Sequence, residues 1–333
     1  MILSGREGVS FSDNTMRKVF AAAEALNYTL VAGRKIVGPK SEQATILIVC
    51  PNVSNPYYST VTQAIQQSAQ AHGCATLIYT TYRDPEAELH ALRLAKQAQL
   101  AGIIFTMVVH PAQILEHADR DMPIVVIADR NEDLNVDTIE LNNHNAGILV
   151  AKHMAELGHK HIAYISTSLD KNNTARTQRL EGLLAGFRQA CPEGSVLVKS
   201  MDISPGMELE NLLIEHHVGY ELARKCFADK KITAFVAVND MVAYGTIDAI
   251  HDAGFSVPDQ YSVCGFDNIF PSHFSGVSLT TVEHYMADKG RNAFERLYAK
   301  ISGAAPGHNI TRVEFKHHLI VRGSSAPPAG KAC

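Results

Sequence analysis

The chain has 333 residues, and at roughly 150 residues per domain this length favours two globular units. Hydrophobic residues make up 46% and charged residues 19%, with only 13 prolines, which excludes a largely disordered or low-complexity chain. Thirty basic and 34 acidic residues give a formal charge of −4, which excludes a protein whose whole surface follows nucleic acid. Any contact with DNA must therefore be local.

The first residues contain no apolar stretch long enough for a signal peptide, and no later apolar run approaches a membrane span. We therefore expect a cytoplasmic protein. The six cysteines are widely scattered without a C-x-x-C pair, so the sequence predicts buried free thiols and no zinc or redox motif.

The N-terminal residues predict a short section of their own. Ser12-Asp13 can cap a helix that ends near Tyr28, with apolar residues spaced along one face. The segment Val31–Gln43 contains basic residues, two glycines and a proline, which is typical of a weakly structured linker. A domain boundary near residue 44 follows.

Two α/β units of similar size are predicted after that boundary, because short apolar runs alternate with helical stretches. Asn55 and Asp240 are expected to cap helices, and the tail from Ser324 is expected to fray. The predicted strands are Thr45–Cys50, Ala75–Thr80, Gly102–Thr106, Ile124–Ala128, Thr138–Leu141, Ile162–Ser166, Ala234–Val238, Ser262–Phe266, Leu279–Val282, Ile310–Phe315 and His318–Val321.

Polar side chains follow several of these strands. Ligands of open α/β sheets bind beyond the carboxyl ends of the strands, where helix N-termini also point. Carboxylates, amides and guanidinium groups together suit a neutral polyhydroxylated ligand, because each hydroxyl both donates and accepts. Helix capping is the competing explanation for Asn55 and Asp240, and core packing is an equal one for the tyrosines. The candidate ligand contacts are Tyr57, Tyr58, Asp129, Arg130, Arg179, Asn239 and Asp267.

Catalytic and cofactor motifs are missing from the sequence. It contains no G-x-G-x-x-G, P-loop or G-x-S-x-G motif, and the absence of the first disfavours a dinucleotide enzyme. The 16 histidines include adjacent pairs but no H-E-x-x-H, so no metal site is predicted. We expect neither an enzyme nor a bound cofactor.

The chain resembles the lactose-repressor (LacI/GalR) family from about Leu3 to Ser325. The motifs that support this resemblance occur in the family's order and at its spacing. They are Ser54-Asn55-Pro56-Tyr57-Tyr58, Pro123-Ile124-Val125-Val126-Ile127 with Asp129-Arg130, Leu157-Gly158-His159, Arg179-Leu180-Glu181-Gly182, Asn239-Asp240, Val257-Pro258, Gly265-Phe266-Asp267-Asn268, Leu279-Thr280-Thr281-Val282 and Leu319-Ile320-Val321-Arg322.

The resemblance implies an α/β core of two doubly wound parallel-sheet subdomains, as in periplasmic binding proteins, crossed three times by the chain. A helical headpiece remnant would precede this core. The expected segments are 1–28 for a partial headpiece, 29–44 for a hinge, 45–142 with about 275–304 for one subdomain, 143–274 with about 305–325 for the other, and 326–333 for a tail.

The resemblance also implies a small effector, often a sugar, gripped by Arg179 and Asp267, with the other candidate contacts lining the same cleft. Family members are homodimers or tetramers that place paired headpieces on a palindromic operator. The chain departs from the family at its start, where roughly twenty residues that include the recognition helix have no counterpart. Arg34 and Lys35 remain as candidate DNA contacts, although Gly33 weakens a hinge helix.

The sequence therefore predicts an effector-responsive transcriptional regulator, most simply a repressor, whose ligand binding is coupled to operator binding. Two alternatives stay open: an effector-binding protein that lacks DNA binding, and a periplasmic-type sugar-binding protein. Asn142-Asn143 also replaces the Asp-Asn pair common in the family, which removes one negative charge near the cleft.

Overall fold

A computed structural model describes residues 12, 15, 18, 29–30, 36–37, 44–109, 115, 122–129, 134–170, 174–305 and 309–329. The chain divides between Ala44 and Thr45 into two units. In the first unit, the two-residue strands Thr29–Leu30 and Ile36–Val37 pair antiparallel. Most of the predicted N-terminal helix, together with the candidate DNA contacts Arg34 and Lys35, lies outside the described residues.

The second unit contains two six-stranded sheets, each the centre of one lobe. The sheet of the first lobe is entirely parallel, in the order β11-β5-β4-β3-β1-β2. Its strands are β1 (Thr45–Cys50), β2 (Ala75–Thr80), β3 (Gly102–Phe105), β4 (Ile124–Asp129), β5 (Asp137–Leu141) and β11 (Arg312–Phe315). Helices α1 (Pro56–Ala71), α2 (Pro85–Gln97) and α8 (Met286–Ile301) flank it.

The sheet of the second lobe has the order β12-β10-β9-β8-β6-β7 and is parallel except for β12. Its strands are β6 (His161–Ser166), β7 (Ser195–Ser200), β8 (Ala234–Ala237), β9 (Ser262–Asp267), β10 (Thr280–Glu283) and β12 (Leu319–Ile320). Its helices are α3 (Asn143–Glu156), α4 (Thr174–Ala190), α5 (Pro205–Glu210), α6 (Ile214–Arg224) and α7 (Asp240–Asp252).

The two helix pairs of the second lobe pack backbone to backbone, which glycine makes possible. A Cβ on Gly182 of α4 would lie 1.9 Å from the carbonyl oxygen of His144 in α3. A Cβ on Gly245 of α7 would lie 1.8 Å from the carbonyl oxygen of His216 in α6. Both distances are far below van der Waals contact, so these positions require glycine for this packing.

The chain crosses between the lobes after β5, after β10 and after β11. The architecture of two doubly wound lobes is therefore the predicted one. The five described cysteines are buried and free. Among the described residues, no helix is both long enough and apolar enough to cross a membrane.

The expected subdomain bounds differ from the observed sheets at two places. Thr280–Glu283 pairs with β9 in the second lobe, although 275–304 was assigned to the first subdomain. Arg312–Phe315 pairs with β5 in the first lobe, although 305–325 was assigned to the second. Apolar patterning identifies a strand but not the sheet that accepts it, because both sheets offer an apolar neighbour.

Three local predictions also need correction. Asn239, not Asp240, is the N-cap of α7, because its side chain accepts from the amide of Val242 at 2.9 Å. Strand β7 was missed, since its residues are mostly half-buried or exposed. The chain is ordered at Ser324, which is 1% exposed and whose hydroxyl donates to the carbonyl of Val263 at 2.6 Å, so the tail does not fray there.

Candidate ligand-binding site

A cleft of about 330 Å³ lies between the two lobes, beyond the carboxyl ends of their strands. Asp129 ends β4, Asp267 ends β9, and Asn239 follows β8 at the start of α7. Arg130 lies outside the described residues. The other six predicted ligand contacts all line this cleft: Tyr57, Tyr58, Asp129, Arg179, Asn239 and Asp267.

The two tyrosines reach the cleft because they lie in the first turn of α1. Asn55 caps this helix by accepting from the amide of Tyr57 at 2.9 Å, and Pro56 occupies the first helical position. The rings of Tyr57 and Tyr58 contact each other edge to face, with centroids 5.0 Å apart. One Asx-capped turn therefore presents two aromatic rings with polar tips to the cleft.

Arg179 is fixed by contacts on several sides. Its Nε donates to Asn143 Oδ1 at 2.8 Å, one terminal nitrogen donates to the carbonyl of Val238 at 2.6 Å, and the other lies 3.3 Å from Asp267 Oδ1. The guanidinium also lies 5.1 Å from the ring centroid of Phe266. A buried arginine held in this way presents its remaining surface in one orientation.

Asn143 connects this arginine to the first lobe. Its Nδ2 donates to Asp129 Oδ2 at 2.6 Å, while its Oδ1 accepts from Arg179. Asp129 belongs to the first lobe and Arg179 to the second. We call Asp129, Asn143, Arg179 and Asp267 the floor of the cleft.

Asp267 occupies a strained position that its neighbours hold in place. Its φ is +117°, and the next residue, Asn268, has φ +56°. The buried carboxylate of Asp240 fixes this turn by accepting from the amide of Ile269 at 3.1 Å and from the hydroxyl of Ser272 at 2.6 Å. Residues other than glycine adopt such φ values at a cost, and strained residues of this kind cluster at ligand-binding and active sites.

The buried carboxylates of this turn have shifted pKa values. Burial raises the pKa of Asp267, and the guanidinium of Arg179 opposes the rise. Burial, followed by repulsion from Asp267, raises the pKa of Asp240. Charged and neutral carboxyl forms are therefore closer in free energy here than at the protein surface, as is common in binding sites.

Two carboxylates of the second lobe contact polar residues of the first lobe across the cleft. Glu215 of α6 accepts from Asn55 Nδ2 at 2.7 Å, from Asn239 Nδ2 at 3.0 Å and from Arg176 Nη2 at 3.2 Å. Glu208 of α5 accepts from Asn52 and lies 3.5 Å from Arg83 Nε. We call Arg83, Arg176, Glu208 and Glu215 the mouth of the cleft.

Sequence reasoning missed several of these residues. Glu208 and Glu215 lie on helices that follow the missed strand β7, so no strand-end rule pointed to them. Arg83 follows β2 in a turn where both Tyr82 and Arg83 have positive φ. The sequence does contain a signal for one further residue, Lys289, because it is a charged residue on the otherwise apolar face of α8.

The fold is that of a two-lobed α/β protein with a polar cleft between its lobes. A family model described as periplasmic binding proteins and sugar binding domain of LacI family matches residues 43–321. The HTH-type transcriptional regulator DegA of Bacillus subtilis is 30% identical over 322 residues, which cover 95% of this chain and 90% of DegA. The chain therefore belongs to the LacI family, as its motifs indicated.

A second relative is similar in sequence, and a solved structure is similar in fold. The HTH-type transcriptional repressor PurR of Mannheimia succiniciproducens is 27% identical over 316 residues, covering 94% of this chain and 90% of PurR. A LacI-family regulator from Enterococcus faecium with bound ribose superposes with a TM-score of 0.71 at 20% identity, over 85% of this chain and 99% of that one.

A second solved structure with a bound sugar is also similar to the chain. A periplasmic binding protein/LacI transcriptional regulator from Alkaliphilus metalliredigens, complexed with D-xylulofuranose, has a TM-score of 0.68 at 25% identity, covering 85% of this chain and 99% of that one. The chain is thus a ligand-responsive transcriptional regulator by family. Regulators of this family are not enzymes, which confirms the expectation of a non-catalytic protein.

Proposed function

We propose that this regulator binds a small, uncharged, sugar-like effector in the cleft and thereby changes its affinity for operator DNA, acting as a repressor. The main support for this proposal is the Arg179–Asp267 pair on the floor of the cleft, in which Nη2 and Oδ1 are 3.3 Å apart. All the described candidate contacts line the same cleft. A fixed guanidinium and a carboxylate side by side supply donors and acceptors to adjacent hydroxyl groups of one ligand.

The charges around the cleft support an uncharged ligand. The described residues that line the cleft include three arginines and six acidic residues. The arginines are Arg83, Arg176 and Arg179, and the acidic residues are Glu88, Asp129, Asp170, Glu208, Glu215 and Asp267. Each arginine of the lining has a carboxylate within 3.5 Å. The guanidinium groups of the described lining are therefore already compensated, so a neutral polyol is favoured over a sugar phosphate.

The mouth supports coupling between the ligand and the rest of the protein. Glu215 and Glu208 belong to the second lobe, and their partners Asn55, Asn52 and Arg83 belong to the first. A ligand between the lobes would favour this closed arrangement by mass action. We expect the protein to act in the cytoplasm as a homodimer or tetramer, in which closure would set the separation of two DNA-binding segments on a palindromic operator. Arg34 and Lys35 would contact the DNA. Arg130 would contact the effector.

The ligand assignment is tested by a thermal-shift panel followed by calorimetry. The probes are D-ribose, D-xylulose, cellobiose, ribose 5-phosphate and hypoxanthine. We expect at least one uncharged sugar to raise the Tm and ribose 5-phosphate to have no effect, because a ligand stabilises the state that binds it. Preferential binding of ribose 5-phosphate or of hypoxanthine would overturn the assignment.

The coupling is tested with a fluorescent duplex from the region upstream of the protein's own gene. Anisotropy is measured with and without the sugar from the panel that gives the largest thermal shift. We expect the sugar to change the DNA affinity, with a steep salt dependence from phosphate contacts. Sugar binding without any DNA binding would instead favour an effector-binding protein that does not act on DNA.

A further inference from the structure

Lys289 is a charged residue inside the packed face of a helix. The buried positions of α8 follow the spacing of an apolar stripe, and Lys289 is fully buried among them. The other buried members of the stripe are Met286, Gly290, Ala293, Phe294 and Leu297. Lysine is almost never fully buried unless it has a specific partner, so this position demands an explanation.

Close packing of α8 against α1 places this amine behind a cleft residue. A Cβ on Gly290 would lie 2.5 Å from the carbonyl oxygen of Val61 in α1, so the two helices approach closely one residue after Lys289. The Nζ of Lys289 donates to the hydroxyl of Tyr57 and lies 4.5 Å from the centroid of that ring. Tyr57 in turn lines the cleft.

The hydrogen-bond chemistry of this pair has a direction. An ammonium group has three donors and no acceptor, whereas a phenol has one donor and can also accept. The oxygen of Tyr57 therefore accepts from Lys289, which leaves its own O–H free to donate elsewhere. In the parts of the chain that the structure describes, no acceptor receives that proton by a hydrogen bond.

We propose that Lys289 is a positioning residue that makes Tyr57 a hydrogen-bond donor to the effector, so that the cleft selects ligands with an acceptor oxygen at that point. The inference rests on the proposed function, because it assumes that the effector occupies this cleft. The acceptor would be a hydroxyl, ring or carbonyl oxygen of an uncharged sugar. An apolar residue in place of Lys289 would fill the stripe without directing the phenol.

A double-mutant cycle separates this role from simple packing. Lys289→Met, Tyr57→Phe and the double variant are titrated calorimetrically with D-ribose, D-xylulose and cellobiose at about pH 6. Lys289→Met should weaken binding about 10-fold in the wild type, because the phenol loses its fixed direction. In the Tyr57→Phe background, the same change should alter affinity by less than about 2-fold, because the hydroxyl through which it acts is gone.

An equal loss in both backgrounds, or no loss in either, would overturn the proposal. Lys152→Met, at an exposed position of α3, is the matched control and should bind as the wild type does. Folding is checked by the Tm, which Lys289→Met should leave unchanged or raise, because a buried charge is replaced by an apolar side chain.

The pH dependence of ligand affinity distinguishes this role from packing alone, because a packing role would not change with pH. Burial lowers the pKa of Lys289 to about 7, with Asp267 and Glu283 opposing the shift and Arg179 adding to it. The other groups near the amine are His284 and His317, whose pKa values are lowered mainly by burial, and Tyr57, whose pKa is raised by burial. Above about pH 7 the neutral amine can accept from Tyr57, so affinity should fall by a factor that Lys289→Met abolishes. A pH profile identical in wild type and Lys289→Met would contradict the proposal.

An NMR measurement on the ligand-free protein tests the Lys289–Tyr57 hydrogen bond without any assumption about the effector. The protein is labelled with ¹³C at the ζ position of tyrosine, and the Tyr57 resonance is assigned by its loss in Tyr57→Phe. Lys289→Met should shift this resonance more than that of any other tyrosine. If no sugar binds the wild type, the proposed effector class fails while this shift still tests the Lys289–Tyr57 pair. An unmoved resonance would overturn the pair itself.

Discussion

The floor and the mouth of the cleft are both rich in charge, but they are built differently. The floor holds Arg179 with partners from its own lobe, the carbonyl of Val238 and the carboxylate of Asp267, and Asn143 links Arg179 to Asp129 of the first lobe. At the mouth, Glu215 accepts from Asn55 of the opposite lobe. The proposed effector would therefore meet a preorganised floor, whereas the contacts of the mouth depend on closure of the two lobes.

Removing the charge of Asp267 should have the largest effect on ligand affinity. Asp267→Asn keeps the shape of the side chain but removes the anionic acceptor beside Arg179. We expect affinity for the panel sugar with the largest thermal shift to fall about 100-fold, because hydrogen bonds to charged groups are the strong ones. Asp259→Asn, in an exposed turn, is the control. Calorimetric titration that shows less than about a 3-fold loss would remove Asp267 from the floor's function.

Replacing Lys289 should stabilise the folded protein and weaken its affinity for the effector. The folded pKa of Lys289 is about 7 against an ordinary value of 10.5, because of burial. The folded state therefore binds fewer protons than the unfolded state between these values, so the destabilisation by Lys289 is complete below about pH 7 and declines as the pH rises toward 10.5.

Lys289→Met should accordingly raise the free energy of unfolding by roughly 2 kcal/mol at about pH 6 and by less at about pH 9. Urea denaturation at the two pH values measures the difference. A gain that is equal at both would mean that the amine is not a buried charge. Lys152→Met should change neither value.

Weakening the mouth should have a smaller effect than changing the floor. Glu215→Gln leaves one carbonyl acceptor for its partners but removes the charge that pairs with Arg176 at 3.2 Å. We expect about a 10-fold loss of affinity, mainly through faster ligand release, because the closed state becomes less favoured. Stopped-flow competition measures release, and Glu210→Gln, which is exposed on α5, serves as the control. A loss as large as that of Asp267→Asn would erase the distinction between floor and mouth.

The part of the site that the sequence predicts is the part built on strand ends. Asp129, Asn239 and Asp267 were predicted because parallel strands bring their carboxyl ends to one edge, whatever the loops do. The distribution of β10 and β11 between the two sheets was predicted wrongly, because strand patterning does not encode the partner strand. The order of strands and helices along the chain could be predicted from the sequence. The lobe to which β10 and β11 belong could not.

The mouth was unpredictable for a different physical reason. Glu208 and Glu215 lie on short helices after a half-exposed strand, where the apolar pattern is weak. Their role depends on Asn52 and Asn55, more than 150 positions earlier in the chain. Contacts at this separation follow from the closure of the lobes and not from local sequence.

Hydrogen–deuterium exchange tests most directly whether the effector lies between the floor and the mouth. The wild-type protein is compared with and without the panel sugar that produces the largest thermal shift. We expect protection on both faces of the cleft at once, in the first turn of α1, at the start of α4, after β9 and in α5 and α6. Protection confined to one lobe, or outside these segments, would contradict it.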